Sequence, residues 1–497
     1  MLTVLSGSRV CPAFFTCYAE IVLREVEKIM LDVLKSIDDA VWGIPLIVLI
    51  MGTGLLLTIR TGVLQFRKLP TALRYMVKNE KGGAGEVSSF EALCTALSAT
   101  IGTGNIVGVA TAMVAGGPGA LFWMVVAACI GMATKFSEGL LAVKYRTLDA
   151  DGHALGGPFY YIEKGMGSAW KPLAKLFAIF GVGAGLLGIG TITQVNGIAS
   201  ATKTFFDADG SHTVNIFGGT YPVVTVVTAF VVAILVALVV IGGIKRISKV
   251  ATVVVPFMAI LYISVALIIL IVNIQEIPWA VKEIFASAFG ARAVAGGALG
   301  AMILAVQKGV ARGIFSNESG LGSAPIAAAA AQTHEPVRQG LVSMTGTFID
   351  TIIVCNMTGL CIMVTHSLDL GLDGVDVSIA AFGAGLPWDQ QVGAFLLMVA
   401  LAFFAFTTIL GWDYYSERCL EYLVGRRHGV LLTYRWLYIF AVFIGPFLTL
   451  EAVWTIADIF NGLMAFPNLI ALVGLSGVVA AEVKSYFKRL ESGQIQE

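Results

Sequence analysis

Gly102-Thr103-Gly104-Asn105 and Phe315-Ser316-Asn317-Glu318-Ser319-Gly320 interrupt two long apolar stretches that lie far apart in the chain. A helix that stops bonding to itself in mid-bilayer must satisfy its backbone some other way. Irregular backbone at that depth survives only where it is buried in protein or lines a polar cavity. A pair of such breaks, one in each half of a chain, is the sequence mark of a transporter's binding site.

The composition fits that reading. Of the 497 residues 57% are hydrophobic and only 13% charged, against about 25% charged in an ordinary soluble domain. A soluble globule of this composition would expose large apolar patches, so the solvent is lipid and one polytopic membrane domain is expected. Net charge is zero, which implies no nucleic-acid partner. The seven cysteines have no disulfide or zinc spacing. Every His lies in a loop or near a span end, so a His proton relay is not supported. No Walker A motif, metal-ligand cluster or nucleophile constellation is present, which argues against an ATP-driven pump and a membrane enzyme. No cofactor is expected.

Residues 1–38 stand apart from this domain. Arg9 precedes a short apolar run, Val10–Ala19, broken by Pro12, a poor secretory signal. Val26, Met30, Val33 and Ile37 fall at helical spacing, as in an interfacial amphipathic helix. Met30 is an alternative start.

A span needs about 20 apolar residues. Eleven candidates follow, near 40–59, 90–115, 118–142, 172–200, 222–242, 248–273, 296–332, 339–365, 390–411, 434–450 and 453–480. The second and seventh carry the breaks. Lys and Arg placement sets the orientation. With the N-terminus outside and the C-terminus in the cytoplasm, the cytoplasmic stretches hold most of the 32 basic residues, among them Arg60, Arg67, Lys68, Lys245, Arg246, Arg418 and Arg435. The external loops then hold only Lys203, Lys282 and Arg292. The basic N-terminal segment is the exception, since it would lie outside. Setting the first span aside leaves two sets of five, about 88–273 and 296–482, each opened by a broken span. Odd-numbered repeats cross the membrane in opposite senses, as inverted repeats do. The expected organisation is a transporter domain over 39–482 and a cytoplasmic tail over 483–497.

The first broken span opens on Ser88 and Glu91 at capping-box spacing. At each break one half-helix ends in free C=O groups and the next begins with free N–H groups. The N–H end attracts a carboxylate, and the C=O end suits Na⁺ or an ammonium group. An amino acid zwitterion with a small cation satisfies both. The competing reading is a small-xxx-small helix contact through Gly104 and Gly108; a second break in the matching position weighs against it. Glu318 carries two readings, a functional charge or a tie from the break to a neighbouring helix. Asp350 and Gln194 are further polar residues within spans, Gln194 suiting an interhelical hydrogen bond. Glu138 and Asp413 lie near span ends, where water would solvate them, and Lys135, Lys308 and Arg312 can snorkel or pair with acids. Thr407 and Thr408 offer adjacent hydroxyls for a Na⁺ shell, or simply bond back to their own helix.

The run from Gly102 through Val109-Ala110-Thr111-Ala112 to Gly116-Gly117-Pro118-Gly119-Ala120-Leu121-Phe122-Trp123-Met124 resembles the alanine/glycine:cation (sodium:alanine) symporter family. So does Ala311-Arg312-Gly313-Ile314 through the second break to Leu321-Gly322-Ser323-Ala324-Pro325. The likeness extends from about Met30 to the C-terminus. Val125 departs from it, standing where the family commonly has a second Trp. The resemblance implies an all-α, LeuT-type membrane fold of inverted five-helix repeats plus one extra N-terminal helix, with two discontinuous helices. It also implies Na⁺-driven uptake of alanine or glycine across the inner membrane of a prokaryote. Its substrate site would comprise Thr103, Gly104, Asn105, Gln194, Phe315, Ser316, Asn317, Thr408 and Trp412. Its sodium site would use Thr407 and Thr408 with backbone near Ala99 and Gly102. Phe315 and Trp412 are bulky enough to cap a pocket sized for a methyl group. Two rivals remain: a proton-coupled transporter on the same fold, using Glu318 or another buried acid, and a passive channel.

Overall fold

The computed structural model describes residues 29–495 apart from 79, 81, 150–151, 217–218, 291–296 and 449. Residues 1–28, including Arg9, Val10–Ala19 and Val26, lie outside the described residues, as does Arg292. Nine helices among those described are long and apolar enough to cross a membrane. They run Ile29–Arg60, Gly119–Tyr145, Ser168–Phe206, Val223–Val240, Ile244–Val272, Pro336–Val364, Gln390–Val424, His428–Phe447 and Glu451–Glu491. Many of their residues, such as Phe230, Ile234, Leu238, Val253 and Ile260, stay exposed, as a lipid-facing surface requires.

The two quoted segments form no continuous helix. The first gives Ser89–Thr100, a single 3₁₀ turn over Thr103–Asn105, then Val107–Gly116. Its start is the capping box, with the Ser88 hydroxyl accepting the Glu91 N–H and the Glu91 carboxylate accepting the Ser88 N–H. The second gives Ala298–Asn317, a turn, then Ala324–Ala328. Glu318 ends the longer piece in the left-handed region, at φ 57°. This is uncommon for a side chain other than glycine and needs firm support from its surroundings.

Several elements depart from the reading of the sequence. The fourth span is also interrupted: Lys171–Leu187 and Ile192–Phe206 are separated at Gly188-Ile189-Gly190-Thr191. Within Pro336–Val364, residues Phe348–Cys355 form a π-helical segment that carries Asp350. The ninth span continues to Val424 and the last helix to Glu491, so the expected tail begins as helix. A β-hairpin, Thr213–Ile216 with Gly219–Pro222, and short helices Ile277–Ala288 and Val375–Gly385 fill the loops. The proposed amphipathic stretch is helical from residue 29, and Met30, Val33 and Ile37 are all exposed.

Candidate functional site

The two breaks meet. A Cβ added to Gly104 would lie 3.2 Å from the Ser316 Cα and 3.4 Å from the Phe315 ring, so only glycine lets the backbones approach this closely. The small-residue contact weighed for Gly104 and Gly108 is not formed, because the Cβ position of Gly108 has no neighbour within 4 Å. All nine residues named for the substrate site are buried.

Asp350 joins the breaks. Its carboxylate accepts from the Asn105 side-chain amide at 2.6 Å, from the Ser316 hydroxyl at 2.9 Å and from the Thr351 hydroxyl at 2.7 Å. One donor thus comes from each break. Asn105 also uses its carbonyl oxygen, Oδ1, to accept the Gly102 N–H at 2.9 Å. Asn317 donates to Thr351 Oγ1 at 3.0 Å. The π-helical segment supplies both Asp350 and Thr351; such bulges often occur at functional sites because they re-aim side chains.

Around the first break, Gln194 Oε1 accepts the Thr103 N–H at 3.1 Å while its amide donates to the Ile189 carbonyl at 3.0 Å. The interruption of the fourth span therefore serves the first break. The signal was present in the sequence as Gly183, Gly185, Gly188 and Gly190. A Cβ on Gly190 would sit 2.6 Å from the Trp412 Cβ, and one on Gly185 2.4 Å from the Ser416 Cβ. These glycines let the helix press against Gln390–Val424. Gly411 does the same for Ala99, whose backbone nitrogen lies 2.7 Å from a Cβ built there.

That contact brings Thr408 to the break. Its hydroxyl lies 3.0 Å from the Phe404 carbonyl of its own helix and 3.2 Å from the Ile101 carbonyl. The back-bonding alternative is therefore real, but Thr408 also reaches a freed carbonyl of the first break. Thr407 does not; its hydroxyl bonds the Phe404 carbonyl and approaches Met258 Sδ. The Thr103 hydroxyl is buried with no hydrogen-bond partner among the described residues, a polar atom left for a ligand.

The second break is bound mainly by protein. Lys135 is buried and donates to the Asn317 carbonyl at 2.8 Å, so it does not snorkel; a cation at a helix C-terminus is favourable. Glu138, one turn on, is also buried and accepts the Gly320 N–H at 3.1 Å and the Asn468 amide at 2.6 Å. Solvation had been the expectation for Glu138 and Asp413; both are buried. Glu318 accepts Trp412 Nε1–H at 2.8 Å and the Ser323 hydroxyl at 2.7 Å. Trp412 is thereby committed to Glu318, whereas the Phe315 ring packs at a tilt on Trp454 with centroids 5.1 Å apart. The structure does not bring Phe315 and Trp412 together as one lid.

Polar links cross the molecule on both sides of the site. Toward the face where the Ile29–Arg60 helix begins, Arg312 makes a bidentate pair with Asp458 at 3.0 and 2.9 Å, beside the Phe315 and Trp454 rings. Toward the opposite, basic face, the segment before the first break is bonded to the segment after the second. The Glu86 N–H donates to the Ala330 carbonyl and the Gln332 N–H to the Val87 carbonyl. Arg146 bonds the carbonyls of Ala84, Ala329, Ala331 and Thr333. His153 adds an electrostatic latch, with Nδ1 3.0 Å from Glu86 and Nε2 3.3 Å from Glu421, itself paired with Arg418.

Hydrogen bonds to Glu421 and Glu86 outweigh the burial of His153 and push its pKa up to about 9. The latch is therefore fully engaged below the ordinary histidine value near 6.5 and is lost as pH rises through about 9. Amide exchange in residues 82–88, corrected for its intrinsic base-catalysed rise with pH, is expected to quicken in wild type only above that pH. In His153→Gln it should already be about tenfold faster at pH 7, as expected for loss of a charged hydrogen bond. Equal exchange in the two proteins at pH 7 would remove the latch.

A sequence profile described as the sodium:alanine symporter family matches residues 27–497. An uncharacterized transporter of Haemophilus influenzae is 57% identical over 462 residues, covering 93% of this chain and 97% of the relative. The sodium/alanine symporter AgcS of Methanococcus maripaludis is 46% identical over 463 residues, covering 92% and 97%. Among solved structures, MhsT in complex with L-phenylalanine aligns with a TM-score of 0.52 at 15% identity, covering 81% of this chain and 99% of that one. This last likeness concerns the fold, a LeuT-type all-α arrangement.

Proposed function

Because the chain belongs to the sodium:alanine symporter family, a family of secondary transporters and not of enzymes, we propose that it couples Na⁺ entry to uptake of alanine or glycine by alternating access. The observation that carries this reading is the Thr408 hydroxyl beside the Ile101 carbonyl, at the point where the two breaks converge. Na⁺ would enter between that carbonyl and hydroxyl as cargo. Gly104 packs closely on Ser316 and Phe315, which favours a small side chain between the breaks. Selectivity against bulky amino acids should be strong. Alanine and glycine should be poorly separated, since one methyl is worth about 1–3 kcal/mol.

In this reading Thr103, Gly104, Asn105, Gln194, Phe315, Ser316 and Asn317 surround the substrate. Asp350 holds the two breaks in register, and Glu318 and Trp412 support the second break from behind. The Arg312–Asp458 pair closes the outer side and the His153 latch the cytoplasmic side. The basic face is cytoplasmic by the distribution of Lys and Arg, with the C-terminus inside; the prokaryotic relatives favour the plasma membrane of a prokaryote.

Purified protein in liposomes, given labelled alanine and an inward Na⁺ gradient, should accumulate it; a pH gradient alone should not drive uptake. Uptake driven by protons without Na⁺ would transfer the coupling role to a buried acid such as Asp350 or Glu318. Thr408→Val should raise the Na⁺ concentration for half-maximal uptake about tenfold or more, since it strands a buried carbonyl at about 1–3 kcal/mol. Thr407→Val should leave that concentration near wild type. Similar Na⁺ activation in both variants would reduce Thr408 to a packing residue.

A further inference from the structure

A cleft of about 400 Å³ lies on the basic face, between the turn that follows the first long helix and the far end of the last one. Arg67 and Lys68 line one wall; Lys484 and Lys488 line the other, with Glu491 the single acid. Lys484 and Lys488 are one turn apart on the same helix face, where like charges repel. None of these four cations has an ion-pair partner among the described residues. Arg67 donates to the Gly62 carbonyl, and Lys68 lies over the Phe487 ring at 4.5 Å.

Nearby charges on the same helix are treated differently. Arg489 makes a bidentate pair with Glu335 at 2.6 and 2.7 Å, and Glu482 pairs with Lys144 at 2.6 Å. The fold thus matches the charges that face inward and leaves a group of cations around a cavity. Arg67, Lys484 and Lys488 are exposed, so the group is open to an incoming anion.

The position of the cleft says which anion. The Arg60 guanidinium reaches Gly477, and Lys484 is seven residues further along the helix, about 10 Å. That offset is of the order of one headgroup layer. In the same stretch of chain, outside the cleft's lining, Ile59, Val63 and Phe66 remain 67%, 43% and 53% exposed. Val63 holds a left-handed turn, at φ 58°, from which the short helix Leu64–Arg67 starts. Cations at headgroup depth beside exposed apolar side chains suit a ligand that is both anionic and acylated.

We propose that this cleft binds the phosphate headgroup of an anionic phospholipid, with its acyl chains along Ile59, Val63 and Phe66. Basic cavities between membrane helices on this face suit such headgroups. A scattered inside-positive charge would attract anionic lipid generally; this site retains one molecule.

Native mass spectrometry of the full chain, titrated with phosphatidylglycerol, phosphatidylcholine or inorganic phosphate, tests it. One phosphatidylglycerol per chain should be retained in preference to phosphatidylcholine, with no comparable retention of inorganic phosphate. Lys484→Gln with Lys488→Gln should weaken that retention roughly thirtyfold, at about 1 kcal/mol per surface lysine. Lys245→Gln with Lys249→Gln, on the same face outside the cleft, should leave it unchanged. Equal losses in both double variants would show non-specific attraction, and equally tight inorganic phosphate would show a soluble-anion site. Either result overturns the proposal.

Discussion

Asp350→Asn is expected to abolish uptake, by about a hundredfold or more, while the protein still inserts and purifies as a monodisperse species. The carboxylate accepts three hydrogen bonds, from Asn105, Ser316 and Thr351. An amide in its place carries no charge and has one acceptor oxygen; kept on the Asn105 side, it leaves its N–H₂ facing the Ser316 and Thr351 hydroxyls, which must turn from donating to accepting. Hydrogen bonds to a charged group contribute about 1.5–3 kcal/mol each, and two of them correspond to a hundredfold or more. The loss falls on transport because Asn105 and Ser316 belong to different breaks, so the variant loosens their registration. Uptake rate normalised to reconstituted protein is the readout. A variant with wild-type uptake would mean that the link between the breaks is ornamental to transport.

Gly102→Ala is expected to be nearly as severe, for a steric reason. The new Cβ would lie 2.5 Å from Thr408 Oγ1 and 2.9 Å from Gln194 Oε1, inside contact distance for both. Gly102 has extended backbone, at φ −144°, so alanine adopts the conformation without strain; the clash alone is the cost. Overpacking of this kind costs about 1–3 kcal/mol, and here it displaces the two side chains that serve the first break. Na⁺-dependent uptake should fall about tenfold to a hundredfold. Gly108→Ala is the internal control. It has the same chemistry six residues on, in a helix, with open space at its Cβ, and should transport as wild type. Equal behaviour of the two variants would contradict the geometry of the first break.

Much of this was legible in the sequence because the bilayer makes backbone satisfaction compulsory. Two matched runs of glycine and small polar residues inside apolar stretches favoured breaks over helix contacts, and the broken helices fall at Gly102–Asn105 and after Asn317. The capping box at Ser88 and Glu91 needed only its spacing. Charge placement marked a basic face because Lys and Arg are expensive to carry across lipid. The interruption at Gly188–Thr191 was missed because glycine is common in membrane helices and Thr191, Thr193 and Gln194 can satisfy their polar groups within or between helices. The burial of Lys135 and Glu138 was equally hidden: their positions on a helix were readable, but not that the second break would pack against that face. Trp412 shows the same limit. Its size suggested a lid, yet its N–H is spent on Glu318, a pairing between residues 94 positions apart. Hydrogen-bond partners across a fold are set by packing, which no local pattern records.

Na⁺ and a small amino acid sharing one transport cycle is the proposed function. Linkage requires coupling to run in both directions. Liposomes holding the purified chain should therefore take up radioactive Na⁺ against no Na⁺ gradient when an inward alanine gradient is imposed. That uptake should disappear in Gly102→Ala and persist in Gly108→Ala. Alanine entering with no accompanying Na⁺ would contradict that coupling.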